Sequence, residues 1–257
     1  MRRTGPEGRR IAWETVGSGP PLVLLHGSFG DRGTWWPGGH VGALAGEHRL
    51  VLIDAIGHGE SDAPDDPAAY RIDRQAGDVL AVLDAEGAGR AAFWGASMGG
   101  TIGFHLLARH PERLTCLIAS GAHARGLGAD PADVEREAAF CRDRGAAPFV
   151  EAVERRGALP GWMRDAMLAI APEALAAQTV GLFELPDVTA AVAEAEVPVL
   201  LLAGDGDHRL PAIRRTAEAV PKASLLELPG CGHLDAFLRL DLTLPVVRPF
   251  LRRYATA

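Results

Sequence analysis

Short apolar segments, each followed by a glycine-rich polar loop, recur along this chain and constrain its fold more than any other feature. They read "LVLLH", "RLVLID", "AAFWG" and "LTCLIAS" in the first half, and "VPVLLLAG" and "ASLLELP" in the last quarter. Strands that are buried on both faces of a parallel sheet are nearly continuous apolar runs of this kind. Helical patterns separate them, at 72–86, from 97 to about 110, at 212–220 and in a closing helix that ends at Tyr254. The alternation predicts an α/β protein with a mostly parallel, doubly wound sheet.

The pattern changes between residues 123 and 195. This part has helical periodicity, repeated prolines and no run typical of a strand. It is therefore predicted to be an inserted helical cap, and residues 1–122 and 196–257 are predicted to form the core.

Six loops that follow predicted strands are the candidates for carrying catalytic or binding residues. In open parallel sheets, ligands bind beyond the carboxyl ends of the strands, and these loops would share that edge. They read "HGSFGDRG", "DAIGHGESD", "GASMGG", "SGAHARG", "AGDGDHRLP" and "PGCGHLD".

Ser97 lies between two glycines in the third of these loops, Gly95 and Gly99, in the pattern G-x-S-x-G. A serine that attacks a carbonyl must stand clear of its strand and of the following helix, which requires a sharp turn with very small neighbours. The alternative without a catalytic role is that Ser97 is an ordinary helix N-cap, a position that serine also favours. The other loops decide between the two.

A serine hydroxyl needs a base to take its proton and a third group to orient that base. His233 follows the last predicted strand and lies on the ligand edge, whereas His58, His110 and His208 are interpreted as ordinary loop histidines. Two acids could orient it, Asp205 and Asp207, and the other would then form the turn.

Together these motifs resemble the α/β-hydrolase-fold serine hydrolases. The resemblance rests on His26-Gly27, on the loop from Asp54 to Ser61, on the G-x-S-x-G around Ser97, on "GDGD" at 204–207 and on "GCGH" at 230–233. The order Ser, Asp, His is also that family's order. The family's acid usually ends a G-x-x-D motif, so the resemblance implies Asp207 as the orienter of His233, with Asp205 as the alternative.

The resemblance also implies an oxyanion hole and a pocket. The backbone donors of the oxyanion hole would be the amides of Ser28 and Met98, with Phe29 as the nearby alternative to Ser28. Phe29 and His123 are the candidates for lining the substrate pocket, although His123 could equally be a satisfied buried histidine. The loop "HGSFG" differs from the H-G-G-G of many lipases, and a serine at residue 97 disfavours the branches that use aspartate there.

Composition narrows the classes of partner. The net charge of −7 argues against nucleic acid and anionic membranes, and the start "MRR" is not followed by the apolar core of a signal peptide. The three cysteines form no C-x-x-C pair, and the nine histidines include no H-E-x-x-H. We therefore expect a cytoplasmic enzyme that acts on a small molecule and needs no metal or cofactor, with its oligomeric state open.

The function that the resemblance favours is hydrolysis of a small carboxylic ester or lactone. The same machinery is compatible with C–C cleavage of a ring-opened diketone or with perhydrolysis. A ligand receptor that retains the three residues is the alternative from another class.

Overall fold

A computed structural model of the chain describes residues 2–4, 8–126, 128–155, 159–183 and 185–255. The remaining positions of the predicted core and cap ranges, namely 1, 5–7, 127, 156–158, 184 and 256–257, lie outside the described residues. The strands are β1 (Arg2–Thr4), β2 (Ile11–Val16), β3 (Pro21–Leu25), β4 (Arg49–Ile53), β5 (Ala91–Ala96), β6 (Leu114–Ser120), β7 (Val199–Gly204) and β8 (Ala223–Leu228).

These eight strands of the described chain form one sheet in the order β1-β2-β4-β3-β5-β6-β7-β8. β2 runs antiparallel to β1 and β4, and the pairs from β4 through β8 are parallel. The α/β class and the mostly parallel sheet are confirmed. The short edge strand β1 was not predicted, since "RRT" carries no apolar run.

The described α-helices number eleven. They are α1 (His40–Leu44), α2 (Ile72–Ala85), α3 (Met98–Arg109), α4 (Pro131–Arg144), α5 (Ala147–Glu154), α6 (Gly161–Leu168), α7 (Pro172–Gly181), α8 (Thr189–Glu194), α9 (Leu210–Ala219), α10 (Asp235–Leu238) and α11 (Leu240–Tyr254). None of the described helices is both long enough and apolar enough to cross a lipid bilayer.

Helices cover both faces of the sheet, which explains why its central strands, β3 to β7, are almost entirely apolar. In β3, Val23 and Leu25 face a cluster that includes side chains of α2, α3, α8 and α9. Leu22 and Leu24 face the opposite cluster, with side chains of α1, α10 and α11. Since every position of such a strand is buried, no polar residue alternates with the apolar ones, and each Val or Leu side chain contributes about 1.5–3 kcal/mol on burial.

Five of the described helices, α4 to α8, lie between β6 and β7. α4 packs on α7 around a small apolar cluster, whereas α5 packs on α6 and their buried Val150, Met163 and Met167 join the cluster on one face of the sheet. α7 rests on the turn at Pro67–Tyr70, where Gly181 lies against the backbone of Pro67. α8 instead packs against α3 and α9. The division into a core and a cap at residues 122 and 196 stays a prediction.

The parallel register brings the strand-end loops together. Leu25 pairs with both Ile53 and Gly95, and Ser120 pairs with Ala96 and Leu202. The loops that follow β3, β5, β6 and β7 therefore start at one level along the same edge.

Candidate active site

The turn between β5 and α3 holds Ser97 in a conformation that few residues adopt. Its φ of 49° and ψ of −110° are in a sparsely populated region, which costs of order 1–3 kcal/mol. A Cβ on Gly95 would lie 2.3 Å from the Gly99 carbonyl carbon, and a Cβ on Gly99 would lie 2.2 Å from the Leu25 carbonyl oxygen. Because both positions are too close to backbone for any side chain, only glycine permits this turn.

The side chain of Ser97 does not cap the helix that it begins. No capping hydrogen bond is made by its hydroxyl; instead the Oγ lies 3.0 Å from Nε2 of His233. Nδ1 of His233 lies 2.8 Å from Oδ2 of Asp207. The structure thus brings three residues from the loops after β5, β7 and β8 into one hydrogen-bonded chain, although 136 positions separate Ser97 from His233.

Asp207 rather than Asp205 contacts His233. Asp205 is exposed, whereas the carboxyl of Asp207 is buried and its Oδ1 accepts the backbone N–H of Arg209 at 2.9 Å. Burial alone would raise the pKa of Asp207, but the hydrogen bonds from His233 and from the Arg209 amide outweigh it and hold the pKa below its usual value. The carboxyl is therefore ionised at neutral pH.

Backbone hydrogen bonds join the loops that carry this pair. The amides of Asp205 and Gly206 donate to the carbonyls of Leu228 and Cys231, at 3.1 and 2.9 Å. The carboxylate of Asp235 accepts the amide of Gly232 at 2.6 Å. The acid and the histidine are consequently positioned by rigid loop ends and not by their side chains alone.

The loop after β3 lies directly against Ser97. A Cβ on Gly27 would be 3.3 Å from Cβ of Ser97. Among the described residues, no hydrogen-bond acceptor is found for the amide N–H of Ser28, Phe29 or Met98. The N–H of Met98 is one of the amides that a helix start leaves unsatisfied. These amides remain the candidates for an oxyanion hole, as predicted from the sequence.

The side chains of His26 and His58 contact backbone carbonyls of this loop. Nε2 of His26 accepts the amide N–H of Ala55 at 3.0 Å, so its Nδ1 carries the proton and donates to the Gly27 carbonyl at 2.8 Å. Nε2 of His58 lies 2.9 Å from the Ser28 carbonyl. Burial, followed by the neighbouring His58, lowers the pKa of His26 to about 3, so it stays neutral.

The two predicted pocket residues lie in different loops, after β3 and after β6. The half-buried ring of Phe29 packs on Phe149 of α5 with 5.2 Å between centroids. His123 is buried after β6, and its Nδ1 has no hydrogen-bond partner in the described part of the chain. Burial and then the charge of Arg209 lower the pKa of His123.

Arg209 is a site residue that the sequence did not reveal. Its Nη1 lies 3.2 Å from Oγ of Ser97 and 3.4 Å from the Gly121 carbonyl oxygen. An arginine in a loop is ordinarily a solvated residue, and nothing in its pattern distinguishes this one. Its place two positions after Asp207, in a strand-end loop, was the only available indication.

Comparisons with known proteins agree with this geometry. The sequence model of the α/β-hydrolase fold family matches residues 20–149, just over half of the chain. Among curated relatives is a putative 2-succinyl-6-hydroxy-2,4-cyclohexadiene-1-carboxylate synthase of Bacillus subtilis, 26% identical, with 87% of each chain covered. The chain therefore belongs to the α/β-hydrolase family.

Two solved structures are similar over almost their whole length. One is a thermophilic esterase from Thermogutta terrifontis, with a TM-score of 0.84, 26% identity and coverage of 99% of this chain and 97% of the other. The second is the enol-lactonase of Burkholderia xenovorans, with a TM-score of 0.83, 27% identity and coverage of 96% and 98%. The chain is thus an enzyme of the α/β-hydrolase fold whose relatives include esterases and lactonases.

Proposed function

We propose that this protein hydrolyses a small carboxylic ester or lactone through an acyl-enzyme on Ser97. The observation that carries the proposal is the hydrogen-bonded chain from Ser97 Oγ through His233 to the carboxylate of Asp207, at 3.0 and 2.8 Å. The similarity to an esterase and to an enol-lactonase supports the choice of substrate class. No step requires a metal or an organic cofactor.

The first half of the reaction transfers the acyl group to the enzyme. Oγ of Ser97 attacks the carbonyl carbon while its proton passes to Nε2 of His233. Asp207 keeps the imidazole in the tautomer with Nδ1 protonated and stabilises the imidazolium that forms. The amides of Ser28 and Met98 donate to the oxyanion; one such donor typically contributes about a hundred- to a thousand-fold in rate.

Collapse of the tetrahedral intermediate completes the acylation, and hydrolysis of the acyl-enzyme then returns the enzyme to its starting state. The carbonyl re-forms, the bond to the departing alcohol oxygen breaks, and the imidazolium of His233 gives that oxygen its proton. Water then loses a proton to His233 and attacks the acyl-enzyme, and the serine leaves with the proton that His233 returns. A lactone follows the same course, except that its alcohol stays attached to the acid.

The proposal assigns helices α4 to α7 to a cap over this site. The contact between Phe29 and Phe149 supports it, since it joins the loop beside Ser97 to α5. The cap would then define the size of the acyl pocket, because loops and insertions carry specificity on a shared core.

A chain-length series of p-nitrophenyl esters tests the proposal. The wild type, Ser97→Ala and the matched control Ser224→Ala are compared in chelator, with circular dichroism to verify folding. Ser224 is exposed in β8, so its variant should retain the wild-type rate, while Ser97→Ala should lose at least about a thousand-fold in kcat. Equal rates in wild type and Ser97→Ala would contradict a serine nucleophile. No ester hydrolysis by any of the three would count against the ester proposal and favour C–C cleavage or a receptor.

A further inference from the structure

Arg209 places a cation beside the proposed nucleophile. Its guanidinium is half-buried at the start of α9, with Nη1 at 3.2 Å from Ser97 Oγ. The acyl transfer described above does not use this group. A charge that is partly withdrawn from water is costly unless an opposite charge compensates it.

The described part of the chain forms no direct ion pair with this guanidinium, although the charge of Asp207 acts on it from a distance. None of its carboxylate oxygens is within 4.0 Å of the Arg209 side chain, which is found in none of the ion pairs. The nearest acid in sequence, Asp207, is occupied elsewhere: Oδ2 contacts His233, and Oδ1 accepts the backbone N–H of Arg209 itself. Burial lowers the pKa of Arg209 in spite of the charge of Asp207.

The guanidinium also keeps donors that no described residue accepts. Both hydrogen bonds that the side chain makes to described residues come from Nη1, to Ser97 and to the Gly121 carbonyl. Nε and Nη2 make no hydrogen bond to a described residue, and neither is among the fully buried polar atoms. They are therefore accessible to a ligand, and the planar fork of arginine matches the two oxygens of a carboxylate.

We infer that Arg209 binds a carboxylate of the substrate, so that the site takes esters or lactones that carry a free carboxylate close to the scissile carbonyl. The inference rests on the proposed function and names its substrate class. Because a guanidinium-to-carboxylate hydrogen bond spans about 2.7–2.9 Å and Nη1 is already in contact with Oγ, the carboxylate must lie within a few bonds of the carbon that is attacked. His123, neutral and beside this charge, supplies a further polar group.

Monomethyl succinate and dimethyl succinate test this inference, because they share a skeleton and differ in one charge. The release of methanol by wild type, Arg209→Met, Arg209→Lys and the control Arg214→Met gives the ratio of kcat/KM for the anionic over the neutral ester. Arg214 is exposed on α9 and pairs with Glu227, so its variant should keep the wild-type ratio. Arg209→Met should lower the ratio roughly 10- to 100-fold, and Arg209→Lys should lower it less.

A fall of both substrates by the same factor in Arg209→Met would overturn the inference, since it would assign Arg209 to the nucleophile alone. So would a wild type that shows no preference for the anionic ester.

Binding without turnover separates this inference from the proposed function. Calorimetry with succinate on Ser97→Ala should detect binding that weakens roughly 10- to 100-fold in Ser97→Ala/Arg209→Met. If succinate binds in this Arg209-dependent way but no ester is hydrolysed by the wild type, the carboxylate site stands and the hydrolase proposal fails. If esters are hydrolysed while succinate binds neither variant, the hydrolase proposal stands and the carboxylate site is overturned.

Discussion

At the scale of single residues, Gly121 shows how closely the site is built around His233. Gly121 has a φ of +63°, and a Cβ there would lie 2.8 Å from Cε1 and 3.0 Å from Nδ1 of the His233 ring. The same atom would be 3.4 Å from Oδ2 of Asp207. The residue after β6 must therefore lack a side chain if the imidazole is to lie between serine and carboxylate.

Gly121→Ala is expected to reduce activity by displacing the histidine. We expect kcat to fall at least about tenfold, since a misplacement near 1 Å can cost about a hundredfold. An alanine held at this left-handed φ should also lower the free energy of unfolding by about 1–2 kcal/mol. Kinetics on a p-nitrophenyl ester and urea unfolding measure the two effects.

Gly87→Ala separates the backbone effect from the clash. Gly87 has a similar φ of +64°, but a Cβ there meets nothing within 4 Å. Its variant should lose comparable stability and keep the wild-type kcat. If Gly121→Ala also kept the wild-type kcat, the contact with His233 would have no bearing on the reaction.

At the scale of elements, the loop after β3 is the part whose orientation matters most. The peptide between Gly27 and Ser28 is fixed at its carbonyl, which accepts Nδ1–H of His26 at 2.8 Å and the amide of Gly30 at 3.0 Å. In a trans peptide the N–H points away from the carbonyl. The two bonds therefore orient the Ser28 amide, one of the proposed oxyanion donors.

His26→Ala is expected to act on kcat rather than on KM. Without the imidazole, the Gly27 carbonyl loses a donor and the oxyanion amide loses its fixed direction, so kcat should fall about ten- to a hundredfold. KM should change little, because the oxyanion forms only in the transition state. Steady-state kinetics on one ester gives both constants.

His105→Ala is the matched control for the loss of a buried histidine. His105 is 2% exposed in the middle of α3, away from the loop after β3. Its variant should lose stability with kcat unchanged. A rise in KM with constant kcat for His26→Ala would argue against a role of the loop in the transition state.

Prediction from the sequence succeeded for elements whose burial leaves a pattern. β6 was predicted at its observed bounds, since all seven positions of Leu114–Ser120 are buried. The turn at Ser97 was predicted because no residue other than glycine fits at positions 95 and 99, so the turn leaves a G-x-S-x-G pattern in the sequence. Arg209 was not predicted, because its role depends on where a loop side chain turns, and no periodicity records that direction.

At the scale of the whole molecule, His40 lies where distant parts of the chain meet. Its ring stacks on Phe237 of α10 at 4.8 Å and meets Trp94 of β5 edge-on at 5.0 Å. Trp35 closes the cluster, with its centroid 4.8 Å from that of His40. Burial among these rings lowers the pKa of His40 to about 3, against an ordinary value of 6.5.

This pKa makes the folded state sensitive to acid. Since the folded-state pKa lies below that of the unfolded chain, the unfolded state binds the proton first as the pH falls. The contribution of the neutral His40 ring to the stability of the fold is complete above about pH 6.5. It is lost progressively as the pH falls to about 3. Within that window the free energy of unfolding falls by about 1.4 kcal/mol per pH unit for this one group.

His40→Phe should therefore flatten the acid limb of the stability curve. Urea unfolding at pH 5.5 and 4.5 should show a difference between the two pH values that is smaller than that of the wild type by about 1.4 kcal/mol. The control is Trp35→Phe, which changes the same aromatic cluster without removing a titratable group and should leave the wild-type difference nearly unchanged. Because the pKa of His26 is lowered by burial in the same way, part of the acid sensitivity should persist in His40→Phe. An unchanged difference in His40→Phe would mean that the ring already takes up its proton in the folded protein, and the aromatic cluster would then have to accommodate a cation.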